Sequence, residues 1–264
     1  MKELKGKTAL VTGASSGIGL ALARSLARRG AHLVITARSE DKLNELAAEL
    51  QKLGVSVHVF VSDLSQKGAA ARLFDQVEKA GLQVDLLINN AGFGQWGDFL
   101  DVSRETYEEM LQLNINALTE LCHLFIPAML KRGEGGIINV GSTASFIPVP
   151  FAAVYSATKA YVLMFTEALQ GEYGDRGISC MTLCPGGTDS NFSTVANPGQ
   201  KLKTSGFKDT PESVAETGLD AFLNGKLYVI TGANKIVGIL PRLLSRNQAL
   251  KIVTNTRKKS IGRA

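Results

Sequence analysis

The run Thr8-Ala9-Leu10-Val11-Thr12-Gly13-Ala14-Ser15-Ser16-Gly17-Ile18-Gly19 passes from a short apolar strand into a glycine-rich turn, and Leu20 to Arg29 continue with helical period. Strand, turn and helix in direct succession form the first half of a βαβ unit. Gly13 allows the tight turn, Gly17 removes a side chain where an anion must approach the backbone, and Gly19 lets helix and strand pack closely. The opening of the helix adds unpaired N–H groups. Gly13, Ser15, Ser16, Gly17, Ile18 and Gly19 are therefore read as a cradle for a pyrophosphate. An ordinary βα turn has the same composition, so the reading needs support from the rest of the chain.

Outward from this run, the predicted strands are Thr8 to Val11, His32 to Thr36, Val55 to Val61, Val84 to Ile88, Gly136 to Val140, Ile178 to Leu183 and Leu227 to Ile230. Most are near-continuous apolar runs, as expected where both faces of a parallel sheet are covered. Helical segments lie between them. In Ser39 to Leu53, leucines at 43, 46, 50 and 53 share one face behind a Ser39 cap. The 264 residues, 45% hydrophobic, suffice for one sizeable core, and no repeat or proline-rich linker divides them. Right-handed crossovers then make a doubly wound parallel sheet of about seven strands, with helices on both faces, the natural single-domain architecture for residues 1–232. Residues 233–264 form a basic extension. Asn191 to Thr210, rich in Ser, Thr, Gly and Lys, is a long irregular stretch of the kind that serves as a lid or binding loop.

Composition removes several classes. Cys122, Cys180 and Cys184 form no Cys-x-x-Cys pair and are too few for a disulfide framework, so reduced and mostly buried thiols are expected. His32, His58 and His123 are scattered without ligand spacing, so no metal site is expected. The net charge of +5 is dispersed except near the C-terminus and does not indicate nucleic acid. Apolar runs are broken before the roughly 18 residues of a membrane-spanning helix, and the N-terminus lacks a signal-peptide apolar region. A soluble, cytoplasmic protein is expected.

Dinucleotide sites place a side chain just after the second strand against the adenosine ribose, where an acid takes the free 2′-hydroxyl and an Arg accommodates a 2′-phosphate. Here the tip reads Thr36-Ala37-Arg38, with no carboxylate. The Arg38 fork suits a phosphate, so NADP(H) is expected over NAD(H), the alternative being a solvated surface charge.

Further motifs follow in order: Asn89-Asn90-Ala91-Gly92 after the fourth strand, Tyr155-Ser156-Ala157-Thr158-Lys159, and Pro185-Gly186 after the sixth. With the Gly13 turn, they make the chain resemble the short-chain dehydrogenase/reductase family from Lys7 to about Gly232, which implies a Rossmann fold and an oxidoreductase. The resemblance implies a catalytic set of Ser142, Tyr155, Lys159 and Asn114; Ser142 lies thirteen residues before Tyr155, the family's usual interval. Asn116 is a rival for Asn114 by type, but the motif's register favours 114. The resemblance also implies cofactor contacts from Asp63, Leu64, Asn90, Ala91, Gly92, Tyr155, Lys159, Pro185, Gly186 and Thr188. It further implies that Lys159 binds the nicotinamide ribose, that Asn114 holds a water linking Lys159 to solvent, and that the protein is a homodimer or homotetramer. The usual Pro-Gly-x-Val-x-Thr reads Pro185-Gly186-Gly187-Thr188-Asp189-Ser190 here, a departure that still offers a hydroxyl.

The chemistry can also be argued from the residues. Lys159 stands one helical turn from Tyr155, so its charge is expected to lower the phenol's pKa toward the range of a proton-transfer group. Ser142 can donate to a substrate oxygen where negative charge develops. Phe93, Gln95, Trp96, Phe146, Ile147, Pro148, Phe151 and Phe192 are read as the substrate wall, which favours a small hydrophobic carbonyl or alcohol, the alternative being that several of them simply pack the core. The segment Ile236 to Val253, with Arg257-Lys258-Lys259 behind it, fits a docking helix, a subunit contact or peripheral contact with an anionic lipid surface. A non-catalytic NADP(H)-binding protein of the same fold is the rival from another class.

Overall fold

The computed structural model describes residues 1–189, 209–232 and 244–260. Its strands are β1 (Thr8–Thr12), β2 (His32–Ala37), β3 (Val57–Val61), β4 (Leu86–Asn89), β5 (Gly135–Val140), β6 (Ile178–Cys184) and β7 (Tyr228–Ile230). They form one sheet in the order β3-β2-β1-β4-β5-β6-β7, every pairing parallel. Strand order reverses between β1 and β4, so the crossovers on either side diverge and leave a crevice at the strands' C-terminal ends. This doubly wound Rossmann arrangement is the one expected.

The helices are α1 (Gly17–Arg28), α2 (Glu40–Gln51), α3 (Ala69–Lys79), α4 (Arg104–Leu111), α5 (Leu118–Arg132), α6 (Ala153–Tyr173), α7 (Pro211–Leu223) and α8 (Arg246–Ser260). Alternate residues of each strand go to opposite faces, which explains the unbroken apolar runs. Val11, Leu33, Ile35, Leu86 and Ile88 meet Leu22 and Leu26 of α1, Leu43, Leu46 and Leu50 of α2, and Leu219 and Phe222 of α7. Leu10, Val34, Leu87 and Ile137 meet Leu73 of α3, Leu121 and Phe125 of α5, and Val162 of α6.

Three local expectations are corrected. Ser39 does precede α2, but its side chain makes no capping bond. Leu53 lies past the end of α2 and is 52% exposed, because the apolar face closes at Leu50. And α4, a turn wound as a π-helix (Gln112–Ala117) and α5 run on as one helix that is long and apolar enough to cross a membrane. Its apolar face, including Leu118, Leu121, Cys122, Phe125 and Met129, belongs to a core cluster. The three thiols are free and buried, as expected. The Asn191–Thr210 stretch and Phe192 fall almost wholly outside the described residues; Asp209 is described and bridges to Thr188.

Helices α1 and α7 are joined by a charged cluster. Glu216 accepts from the Ser25 hydroxyl at 2.7 Å, from Arg28 at 2.8 Å and from Arg29, which also reaches Asp220 at 2.8 Å. The Arg29 bond above all holds the Glu216 carboxyl down at about 2. Its 41% exposure limits the worth of the cluster through solvent screening to about 1 kcal/mol. Because the folded value is depressed, this stability is present above the ordinary glutamate range and is lost as pH falls through about 2. Glu216→Gln is therefore expected to cost about 1 kcal/mol in denaturant unfolding at neutral pH, with no difference from wild type remaining in strong acid. Equal stability at neutral pH would show the cluster to be idle.

Candidate active site

The glycine-rich turn is held by its neighbour strand. The Thr12 hydroxyl accepts the N–H groups of Asn90 at 3.0 Å and Ala91 at 2.9 Å, and the Asn90 amide donates back to the Thr12 carbonyl at 2.8 Å. Gly13 has φ +66°, and a Cβ there would lie 2.9 Å from the Asn90 amide nitrogen. A Cβ on Gly19 would collide with the Gly13 carbonyl and the same amide. The turn thus packs too tightly for side chains at these two positions. Ser16 precedes α1 without capping it, so the first N–H groups of the helix stay open to an anion. Turn, helix end and crevice fit a dinucleotide pyrophosphate.

At the tips of β2 and β3, Arg38 is exposed and Leu64 is buried. Burial opposes the charge on Asp63, but the Ser65 hydroxyl at 2.7 Å, the Ser65 N–H at 3.1 Å and the charge of Arg38 outweigh it and hold the carboxyl below its usual value. The charge of Arg38 is therefore felt at Asp63. On the far side of the crevice, the Thr188 hydroxyl donates to the Gly186 carbonyl at 3.3 Å, and the Thr143 N–H donates to Pro185 at 2.9 Å.

The four candidate catalytic residues converge from three elements. Ser142 follows β5 and caps the short turn Thr143–Ser145, its hydroxyl accepting the Ala144 N–H at 3.1 Å. Tyr155 and Lys159 share one face of α6, 7% and 5% exposed. The Tyr155 phenol is hydrogen-bonded to Ser142, and the Lys159 Nζ lies 5.8 Å from the phenol ring centroid while donating to the Val140 carbonyl at 2.7 Å.

Asn114 sits in the wide turn between α4 and α5, a distortion that recurs at functional sites. Its amide clamps Phe93, accepting the N–H at 3.1 Å and donating to the carbonyl at 2.9 Å, and also donates to the Thr158 hydroxyl at 3.1 Å. Asn116 is exposed and bonds Gln112, whereas Asn114 is buried beside Gly92 and Lys159. A Cβ on Gly92 would lie 3.0 Å from the Asn114 amide oxygen and 3.5 Å from the Lys159 Nζ, so both line the small space that Gly92 leaves.

Electrostatics correct one expectation. Burial pushes the Tyr155 phenol up to about 12, against a lowering bond from Ser142. Burial likewise pushes Lys159 down to about 8. The cation one turn away does not bring the phenol toward neutrality, because the same dry environment penalises both charges.

Of the expected substrate wall, Phe93 and Trp96 pack with Tyr155, together with Met110, Tyr107 and Val149. The Trp96 ring lies 5.2 Å from the Tyr155 ring, and Gly94 leaves room for both. Phe151 has φ +63° and accepts the Gly97 N–H at 2.9 Å, joining the two loops of the wall. Phe146 pairs instead with Tyr228 of β7, at 5.4 Å between ring centroids. Ser145, Met110 and Tyr228 carry no motif of their own and have no part in the site that the sequence marks, whereas Thr12 opens the glycine-rich motif without its hydroxyl's role being legible there.

A buried cation predicts a stability cost at the site. The folded value of Lys159 lies below its ordinary one, so the cost is complete below pH of about 8 and is relieved as pH rises toward the ordinary lysine range. Lys159→Met should raise stability at neutral pH by about 1–2 kcal/mol, after the lost bond to Val140 is set against the relieved burial. That gain should shrink above pH of about 8, which thermal unfolding across pH will read. A less stable variant at every pH would contradict the assignment of a strained buried charge.

Comparison with known proteins agrees with this geometry. Residues 7–201 match the short chain dehydrogenase family. The chain is 34% identical over 244 residues to the ketoacyl reductase HetN of Nostoc, covering 92% of this chain and 85% of that one. It is 33% identical over 234 residues to a very-long-chain 3-oxoacyl-CoA reductase of Anas platyrhynchos, covering 84% of this chain and 72% of the relative. A short-chain dehydrogenase from Sphingobium yanoikuyae, solved in complex with NADPH, superposes with a TM-score of 0.82 at 32% identity, covering 93% of this chain and 94% of that one. With the fold, the glycine turn and the Ser142, Tyr155 and Lys159 cluster in agreement, the chain belongs to the short-chain dehydrogenase family and is an oxidoreductase.

Proposed function

We propose that the protein transfers a hydride between NADP(H) and a hydrophobic ketone, aldehyde or secondary alcohol, with Tyr155 giving and taking the proton. The observation that carries this reading is a nearly buried Tyr155 held against Ser142 with Lys159 beside its ring. When bound, the nicotinamide supplies the hydride in reduction and accepts it in oxidation. The Ser142 oxygen accepts the Ala144 N–H, which leaves its own proton to donate to a substrate oxygen. Tyr155 gives its proton to the carbonyl oxygen as the carbon gains the hydride, and takes a proton back from the alcohol in the reverse direction. A phenol that keeps its proton through the neutral range suits the donor's part. The reverse direction asks for a lower value, toward which the positive charges of Lys159 and of the oxidised ring both work.

Arg38 and the absence of an acid at the second strand's tip support NADP(H), as does the NADPH in the Sphingobium structure. The aromatic wall of Phe93 and Trp96, together with relatives named as ketoacyl and 3-oxoacyl-CoA reductases, supports an acyl-chain or similarly apolar carbonyl. A cytoplasmic homodimer or homotetramer completes the reading, with apolar Met164 of α6 and Leu111 of α4 exposed for a second copy.

Two variants test it. Tyr155→Phe keeps the ring and deletes the proton, so NADPH affinity should stay within about twofold while turnover of a carbonyl panel falls 10² to 10⁴-fold, the usual worth of a general acid. Turnover within a few-fold of wild type would end the mechanism. Arg38→Asp should weaken NADPH binding more than NADH binding. Equal losses in a titration of both would remove the case for NADP(H).

A further inference from the structure

We infer that Ser145 is a positioning residue for the proposed chemistry, its one hydroxyl coupling Ser142 to the helix that carries Tyr155 and Lys159. The inference rests on the reading of Tyr155 as the proton donor. Ser145 is 7% exposed and ends the short turn that Ser142 begins. Its Oγ accepts the Ser142 N–H at 3.2 Å and donates its proton to the Lys159 carbonyl at 2.7 Å, so both functions of the hydroxyl are engaged. The Ser145 N–H closes back on the Ser142 carbonyl at 2.9 Å. Lys159 ties the same two elements a second time, through its Nζ on the Val140 carbonyl at 2.7 Å. The resulting ring runs Val140, Gly141, Ser142, Ser145, Lys159 and back to Val140, and only two contacts in it come from side chains reaching between β5 and α6. One is Lys159 itself, which has a chemical role. Ser145 has none, and its hydroxyl is engaged by Ser142 and Lys159.

The consequence is geometric. Ser142 must keep its hydroxyl within hydrogen-bond reach of Tyr155, and a shift of a few tenths of an ångström between the β5 turn and α6 weakens that bond. Accepting N–H from Ser142 and donating to Lys159 holds the two against each other in a site from which water is largely excluded, where each bond polarises the next. The space for this link is provided by Gly141, where a Cβ would come within 3.0 Å of the Ser145 Oγ.

Ser145→Ala removes the link, and Ser145→Cys keeps nearly the same volume with only a weak donor. Both should lower kcat for NADP⁺-dependent oxidation of the panel alcohol turned over fastest by roughly tenfold, the effect of one hydrogen bond, while NADPH affinity stays within about twofold. Because the Ser142 proton, shared between the phenol and the substrate oxygen, favours the phenolate, its loosening should also move the rising limb of the kcat profile, set by ionisation of the phenol, to higher pH. Of the groups facing the phenol, Lys159 on α6 keeps its side chain in both variants, and the Cys184 thiol on β6, which burial pushes up to about 12 and Ser145 helps to lower, stays neutral when that help is lost. A role in packing alone would lower the melting temperature without moving the profile. Wild-type kcat in both variants, a fully active Cys variant, or a loss of kcat with an unmoved profile would overturn the inference. Tyr155→Phe run beside them separates the two readings: retained turnover there refutes the proposed chemistry, whereas collapsed turnover there with active Ser145 variants refutes only the role of Ser145.

Discussion

The bond from the Lys159 ammonium to the Val140 carbonyl is the constraint on which the candidate site depends. It places a cation, 5% exposed, between the end of β5 and the middle of α6, where the Val140 carbonyl and the nearby Tyr155 ring stand in for lost water. In a design for stability alone an apolar side chain would serve better there. That the charge stands there nonetheless, beside a tyrosine also out of water, is what supports reading the pair as chemistry over packing. Burial opposes ionisation of both, so each remains close to neutrality in its demands: the phenol protonated, the ammonium readily deprotonated.

The rest of the fold arranges for this pair to meet a ligand. Strand order reverses between β1 and β4, and the crevice that follows is locked by the Thr12 hydroxyl under Asn90 and Ala91. The same β4 loop continues through Gly92 to Phe93, which Asn114 clamps by both backbone groups. Asn114 reaches Thr158, and the Thr158 hydroxyl bonds the Tyr155 carbonyl at 2.7 Å. A chain of short polar contacts therefore links the phosphate end of the crevice to its chemical end. Phe93 and Trp96 then close an apolar wall over Tyr155.

Much of this was legible in the amino-acid sequence because it follows from local pattern. The apolar runs marked all seven strands to within two residues, since a sheet covered on both faces leaves no polar alternation to confuse them. Gly13 and Gly19 announced the turn because no side chain fits there. What escaped depends on contacts between distant segments. Thr12 and Ser145 are ordinary hydroxyl residues until the β4 loop and α6 arrive as their partners. Leu53 continues the helical spacing of its predecessors, but α2 stops before it. The Tyr155 and Lys159 spacing suggested mutual charge stabilisation, and the sequence carries no measure of the dryness that opposes it.

The charge state of that buried lysine is the central physical claim. Carbon-labelled lysine NMR across pH, with the Lys159 signal assigned by its loss in Lys159→Met, reads its titration directly. A midpoint near 8 is predicted for Lys159, well below the ordinary lysine value. A Lys159 midpoint at the ordinary lysine value would contradict the assignment of a buried, strained cation.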